Sequence, residues 1–171
     1  MTAPSKLPPK HGRRARAYDI VDERRYVLTR KLEPVDEVLL GFCHAVAERC
    51  PYAVTRGGRA LLMGRVDDVD NFQVLIPRME EDEFCALFET LVDKGYWDVS
   101  GEDWHAAFSL LSDEMGVRFA VEKEVEPTVS LMFVSSPEEQ ELLDSRIELA
   151  TDKGPLFIAK EPPTEPPRDE E

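Results

Sequence analysis

Asp67, Asp68 and Asp70 crowd into a polar stretch, residues 64–71 (GRVDDVDN), just ahead of the apolar run 72–76. Acids in such a stretch are ordinarily solvated loop, but Asp68-Val69-Asp70 is also an Asp-x-Asp pair, the spacing that shares a face once it lies on a strand. Upstream, Gly57-Gly58 follows the short strand read over 52–56, where small residues suit a tight strand-to-helix turn. The other candidate ligands carry less. Cys43, Cys50 and Cys85 form no metal-ligand or redox pattern. Cys43 and Cys50 fall on what reads as one helix, roughly 10 Å apart along its axis, too far for a disulfide. All three read as small apolar packers with free thiols. His11, His44 and His105 are scattered, without an HxxxH or HxH pair, so no histidine metal site is expected.

The elements that must position these residues are legible from Pro34 onward. Pro34 suits a first helical turn, Asp36 and Glu37 favour its positive end, and Val35, Val38, Leu39, Phe42 and Val46 make one apolar stripe, stopped by Pro51. A strand over 52–56, a helical turn over 59–63 and a strand over 72–76 follow. Glu80, Glu81, Asp82 and Glu83 open a helix that buries Phe84, Leu87, Phe88 and Leu91, and Lys94-Gly95 ends it. Ser100 and Asp103 form a capping box for the next helix. Residues 117–121 and 128–134 alternate with period two and read as a hairpin. Ser136-Pro137-Glu138-Glu139 caps a short helix, and 146–150 pairs with 155–159 across a turn. The order α-β-α-β-α-α-β-β-α-β-β predicts an α/β (α+β) domain, a mixed sheet flanked by helices, over residues 34–159. Residues 18–33 read as a strand or a docked segment. Residues 1–17, basic and Pro-rich, and 160–171 (KEPPTEPPRDEE) are expected to be disordered.

The segment 52–76, YAVTRGGRALLMGRVDDVDNFQVLI, resembles the core of the polymerase-β-like nucleotidyltransferase superfamily, and is closest to small bacterial and archaeal single-domain members found in toxin–antitoxin or defence pairs. Gly57-Gly58 stand at its turn, Gly64-Arg65 end its short helix, and 72–76 form its second strand. Gly95-Tyr96-Trp97, Arg118-Phe119-Ala120 and Pro127 extend the likeness downstream. In that family two carboxylates at i and i+2 of a strand and a third on a neighbouring strand hold two Mg²⁺ ions, which clamp a nucleoside triphosphate. Gapless alignment puts Asn71 and Gln73 at the first two positions, and the third, three residues after Pro127, is Ser130; neutral amides and a hydroxyl cannot supply the charge. The resemblance therefore implies a catalytically inactive protein acting as a binding, regulatory or antitoxin-like subunit, with no metal site and no cofactor. A competing register brings Asp68 and Asp70 forward, with Glu122, Glu124 or Glu126 as third acid. It implies an active Mg²⁺-dependent nucleotidyltransferase that transfers a nucleoside monophosphate. A second alternative is a nucleotide-sensing module that keeps the phosphate turn, with Gly57, Gly58 and Arg65 as binding residues.

Net charge is −14, unevenly spread. Residues 1–31 hold nine Lys/Arg against three acids, a local +6, leaving −20 on the rest. So acidic a body repels phosphate backbones, and nucleic acid is expected only at the basic N-terminal arm. The arm, residues 6–31, is a candidate docking element for a protein partner. No stretch approaches a membrane span and no secretory signal is present, so a cytoplasmic location is expected.

Overall fold

A computed structural model describes residues 17–64 and 71–160. Of the ends expected to be disordered only Ala17 and Lys160 are described. Ala17 is tied in, donating its N–H to Leu62 O at 3.2 Å and accepting from Thr29 N–H at 2.8 Å. Residues 1–16 and 161–171, and Arg65, Asp67, Asp68 and Asp70, lie outside the described residues. In chain order the elements are β1 (Tyr18–Asp22), β2 (Arg25–Leu28), α1 (Pro34–Ala47), β3 (Ala53–Arg56), α2 (Gly58–Met63), β4 (Asn71–Ile76), α3 (Glu81–Asp93), β5 (Tyr96–Asp98), α4 (Trp104–Ser112), β6 (Val117–Val121), β7 (Thr128–Phe133), α5 (Pro137–Asp144), β8 (Ile147–Thr151) and β9 (Gly154–Ile158). They make a mixed α/β fold with one nine-stranded sheet, ordered β1-β2-β8-β9-β3-β4-β7-β6-β5. The expected element order is present, with three strands added: β1, β2 and the three-residue β5.

Alternation explains how the sheet gets two different faces. Phe72, Val74 and Ile76 of β4, and Val129, Leu131 and Phe133 of β7, point to one face, where they are buried with Leu39, Phe42 and Val46 of α1 and Phe84, Leu87 and Leu91 of α3. Each such side chain contributes about 1.5–3 kcal/mol on burial. The opposite face is covered only in part. There α5 lays Leu142 and Leu143 over Ala53, Leu75 and Met132. Two residues back along β4, past that cover, the same face changes from Leu75 to Gln73 and Asn71.

Helix starts follow the local chemistry. Asp36 accepts the Glu33 N–H at 2.7 Å and Glu83 accepts the Glu80 N–H at 2.8 Å, closing the first turns of α1 and α3. Ser136 caps α5 as expected. Two local expectations are corrected. Asp103, not Ser100, is the N-cap of α4, its carboxylate accepting from Ala106 N–H at 3.0 Å, while Ser100 donates to Asp98 instead. Cys50 is not on the helix that carries Cys43: α1 stops at Ala47, and Cys50 falls in the turn beyond.

Residues 18–28, read as a strand or a docked segment, form an antiparallel hairpin whose β2 pairs in parallel with β8, Arg25 opposite Glu148 and Val27 opposite Ala150. Arg30 fastens the hairpin's exit. Its guanidinium grips Asp36 with two 2.7 Å bonds and donates to the carbonyls of Leu61 and Lys31, which uses every N–H it has. Gly64 makes room for this arm: a Cβ there would stand 3.3 Å from Arg30 Cδ, and its φ of 74° is left-handed.

Candidate functional site

The open end of the α5 face begins at a bulge. Val54 pairs with Val74, but the next partner of Gln73 is Arg56, so Thr55 is the extra residue and the bulged strand sets both Thr55 and Arg56 against Gln73. Thr55 Oγ1 donates to Gln73 Oε1 at 3.4 Å. On the other side of β4 the parallel ladder sets Asn71 beside Thr128 and Gln73 beside Ser130. β6 then sets Arg118 opposite Ser130. One transverse row therefore crosses four adjacent strands: Arg56, Gln73, Ser130, Arg118. Three strand spacings separate its ends, about 14 Å.

Side-chain hydrogen bonds give this row a polarity. The hydroxyls of Thr128 and Ser130 both donate to Asn71 Oδ1, at 2.7 and 3.0 Å. Gln73 Oε1 is occupied by Thr55. With the amide oxygens engaged, the Nδ2 group of Asn71 and the Nε2 group of Gln73 keep their N–H donors. Arg56 and Arg118 are exposed, and among the described residues neither guanidinium has a hydrogen-bond or ion-pair partner. Thr128 and Ser130 are buried beneath them. The groups left facing outward are thus donors, and the chemistry they support is recognition of an anion.

The three positions aligned with the family's acids do adjoin in space: Asn71, Gln73 and Ser130 lie on neighbouring strands, and Asn71 bonds directly to Ser130. Asp68 and Asp70 precede Asn71 in the chain and lie outside the described residues, as does Arg65. Glu122, Glu124 and Glu126 are exposed on the β6–β7 connection, and among the described residues none of their side chains bonds to Asn71, Gln73 or Ser130. Among the described residues no group of three His, Cys, Asp or Glu is placed to hold a metal ion. None of the described helices is long and apolar enough to cross a membrane.

Gly57 and Gly58 play different parts. Gly57 caps α2 at φ 94°, and a Cβ there would collide with the ring of Phe72. Gly58 would place a Cβ 3.6 Å from Ile158 Cβ, an ordinary contact. With six residues, α2 has little dipole to offer a phosphate. Thr55, Arg56 and Thr128 were not among the residues singled out from the sequence. Arg118 falls in the run 117–121 that reads as a period-two strand, but only the register with Ser130 gives it a role. No family model, curated protein or solved structure matches this chain.

Proposed function

We propose that the chain is a catalytically inactive, nucleotidyltransferase-like protein that works by binding, as a regulatory or antitoxin-like subunit, in the cytoplasm. The observation that carries this reading is the convergence of Asn71, Gln73 and Ser130 on one face with amides and a hydroxyl where two-metal chemistry needs three carboxylates. Neutral groups spent on one another hold the strands together and leave no negative charge for Mg²⁺.

A second reading is favoured by the donor row. Arg56, Gln73 and Arg118 suit a nucleotide bound through its phosphates without metal, a sensing role in place of transfer. The rival is an active Mg²⁺-dependent transferase on Asp68 and Asp70.

Calorimetric titration of the full-length chain with a non-hydrolysable nucleoside triphosphate, with and without Mg²⁺, separates the three. Saturable binding that needs no Mg²⁺ and weakens about tenfold in Arg118→Ala supports the sensing form; tenfold is the scale of one charge-assisted contact. No binding under either condition leaves protein contact as the function. Binding that requires Mg²⁺ and disappears in an Asp68/Asp70 double variant overturns the inactive reading.

A further inference from the structure

A second concave region lies at the opposite end of β3, where the chain leaves α1 and enters the sheet. It is an open hollow of about 400 Å³ between the C-terminal turn of α1, the start of β8 and the end of β9. That volume falls in the range of small-ligand sites. Ala47, Pro51, Tyr52 and Phe157 give it apolar walls, and Arg49 and Arg146 give it two guanidinium groups.

Both arginines are held in place without being neutralised. The Arg146 guanidinium lies over the Phe157 ring, 5.1 Å from its centroid, and its Nη1 donates to Leu143 O at 2.7 Å. Its Nε is buried with no hydrogen-bond partner among the described residues. Arg49 Nε donates to Thr90 Oγ1 at 2.9 Å, and that hydroxyl is itself fixed on Ala86 O. Among the described residues no carboxylate lies within 4.0 Å of either guanidinium. The acid in the wall, Glu48, is engaged by Lys94 at 3.2 Å. In a chain with 35 acids and 21 Lys/Arg, two pinned and unpaired guanidinium groups in one hollow call for an anion from outside.

We propose that this cavity binds a small organic carboxylate, its oxygens on Arg146 and Arg49 and its apolar body against Phe157 and Pro51. The wall is preformed: Tyr52 Oη accepts the Phe157 N–H at 3.1 Å, and the two rings pack edge to face at 5.8 Å. Cys50 also lines the hollow, and burial followed by nearby Glu83 pushes its thiol up to about 12, far from a reactive thiolate. The site is independent of the Arg56–Arg118 row, which lies at the other end of β3.

The test titrates the full-length chain with benzoate, following backbone amide shifts by NMR, with benzamide as neutral control and inorganic phosphate as competitor. Saturable benzoate shifts centred on Arg146 and Phe157, absent with benzamide, are expected. Affinity should fall tenfold or more in Arg146→Met and in Arg49→Gln, and stay unchanged in Lys153→Ala, on the exposed β8–β9 turn. Arg49 is exposed, so the second variant keeps its fold if the first does not. Equal binding of benzamide, unchanged affinity in Arg49→Gln, or preference for phosphate would overturn the assignment. So would a peptide C-terminus that binds at Arg146 while benzoate does not.

Discussion

Arg30 and Asp36 form a two-pronged ion pair, 2.7 Å on each arm, with the Asp36 side chain fully buried and that of Arg30 only 14% exposed. The Asp36 hydrogen bond is also the largest cause that raises the Arg30 pKa, against desolvation that lowers it. The pair joins the N-terminal hairpin to the first turn of α1, and the remaining Arg30 donors tie both to the last turn of α2.

Removing one partner strands a buried charge, which costs about 3–5 kcal/mol. Asp36→Ala and Arg30→Met should each lower the urea midpoint accordingly. Replacing both, Arg30→Met with Asp36→Leu, should recover much of the loss but not all, since Leu61 O then lacks its donors and the Glu33 N–H its acceptor. A double variant no better than the singles would show that the Leu61 and Glu33 backbone bonds outweigh the ion pair.

Gly57→Ala should destabilise by about 2 kcal/mol or more, from left-handed backbone and overpacking together. The new methyl meets Phe72, which is buried in the core, so the ring cannot move aside cheaply. Gly58→Ala should be mild by comparison. Paired urea titrations check the contrast, and equal losses would refute it.

Placing acids at Asn71, Gln73 and Ser130 makes a third test. The triple variant Asn71→Asp, Gln73→Asp, Ser130→Asp should be less stable than the parent without metal, because adjacent carboxylates repel. Millimolar Mn²⁺ should raise its melting temperature by several degrees, on the order of the 1–3 kcal/mol that metal linkage supplies. An equal rise in the parent would point back to Asp68 and Asp70.

Alkaline pH should loosen the core in a defined window. Burial, followed by the charge of Cys43, pushes Tyr96 from 10.0 up to about 12; burial, followed by Glu83, pushes Cys50 from 9.0 up to about 12. Each folded-state value is raised, so the folded protein keeps a proton that the unfolded chain releases. That contribution is fully present below about pH 9 and is lost as pH rises from 9 through 12. Tyr96→Phe gives up the hydroxyl bond to Val38 O and should show a shallower decline between pH 10 and 12. Unfolding midpoints across that range decide it.

Much of this architecture was legible in the residues, for identifiable reasons. Phe72-Gln73-Val74 and Val129-Ser130-Leu131 alternate cleanly, so strand, face and core followed together. β5 escaped notice because three residues carry too little period, and its pairing of Trp97 with Ala120 is a tertiary fact. The row from Arg56 to Arg118 depends on a one-residue bulge at Thr55 and on the β6–β7 register, neither of which a single strand reveals. Arg30 reads in sequence as one more charge in a basic arm, because Asp36 and the Leu61 carbonyl, which take four of its five N–H groups, come from two different helices.

The pairing of β2 with β8 also sets a timetable. Arg25 finds its neighbour in Glu148, and Arg24 its acceptor in the carbonyl of Asp144, across more than a hundred residues. During synthesis the hairpin therefore waits for strands made more than a hundred residues later, with Ile20 and Val21 exposed meanwhile as they are in the finished sheet. Closing so long a loop is slow, and the Arg30 clamp, whose partners are all made by residue 61, gives the waiting segment an early foothold on α1 and α2.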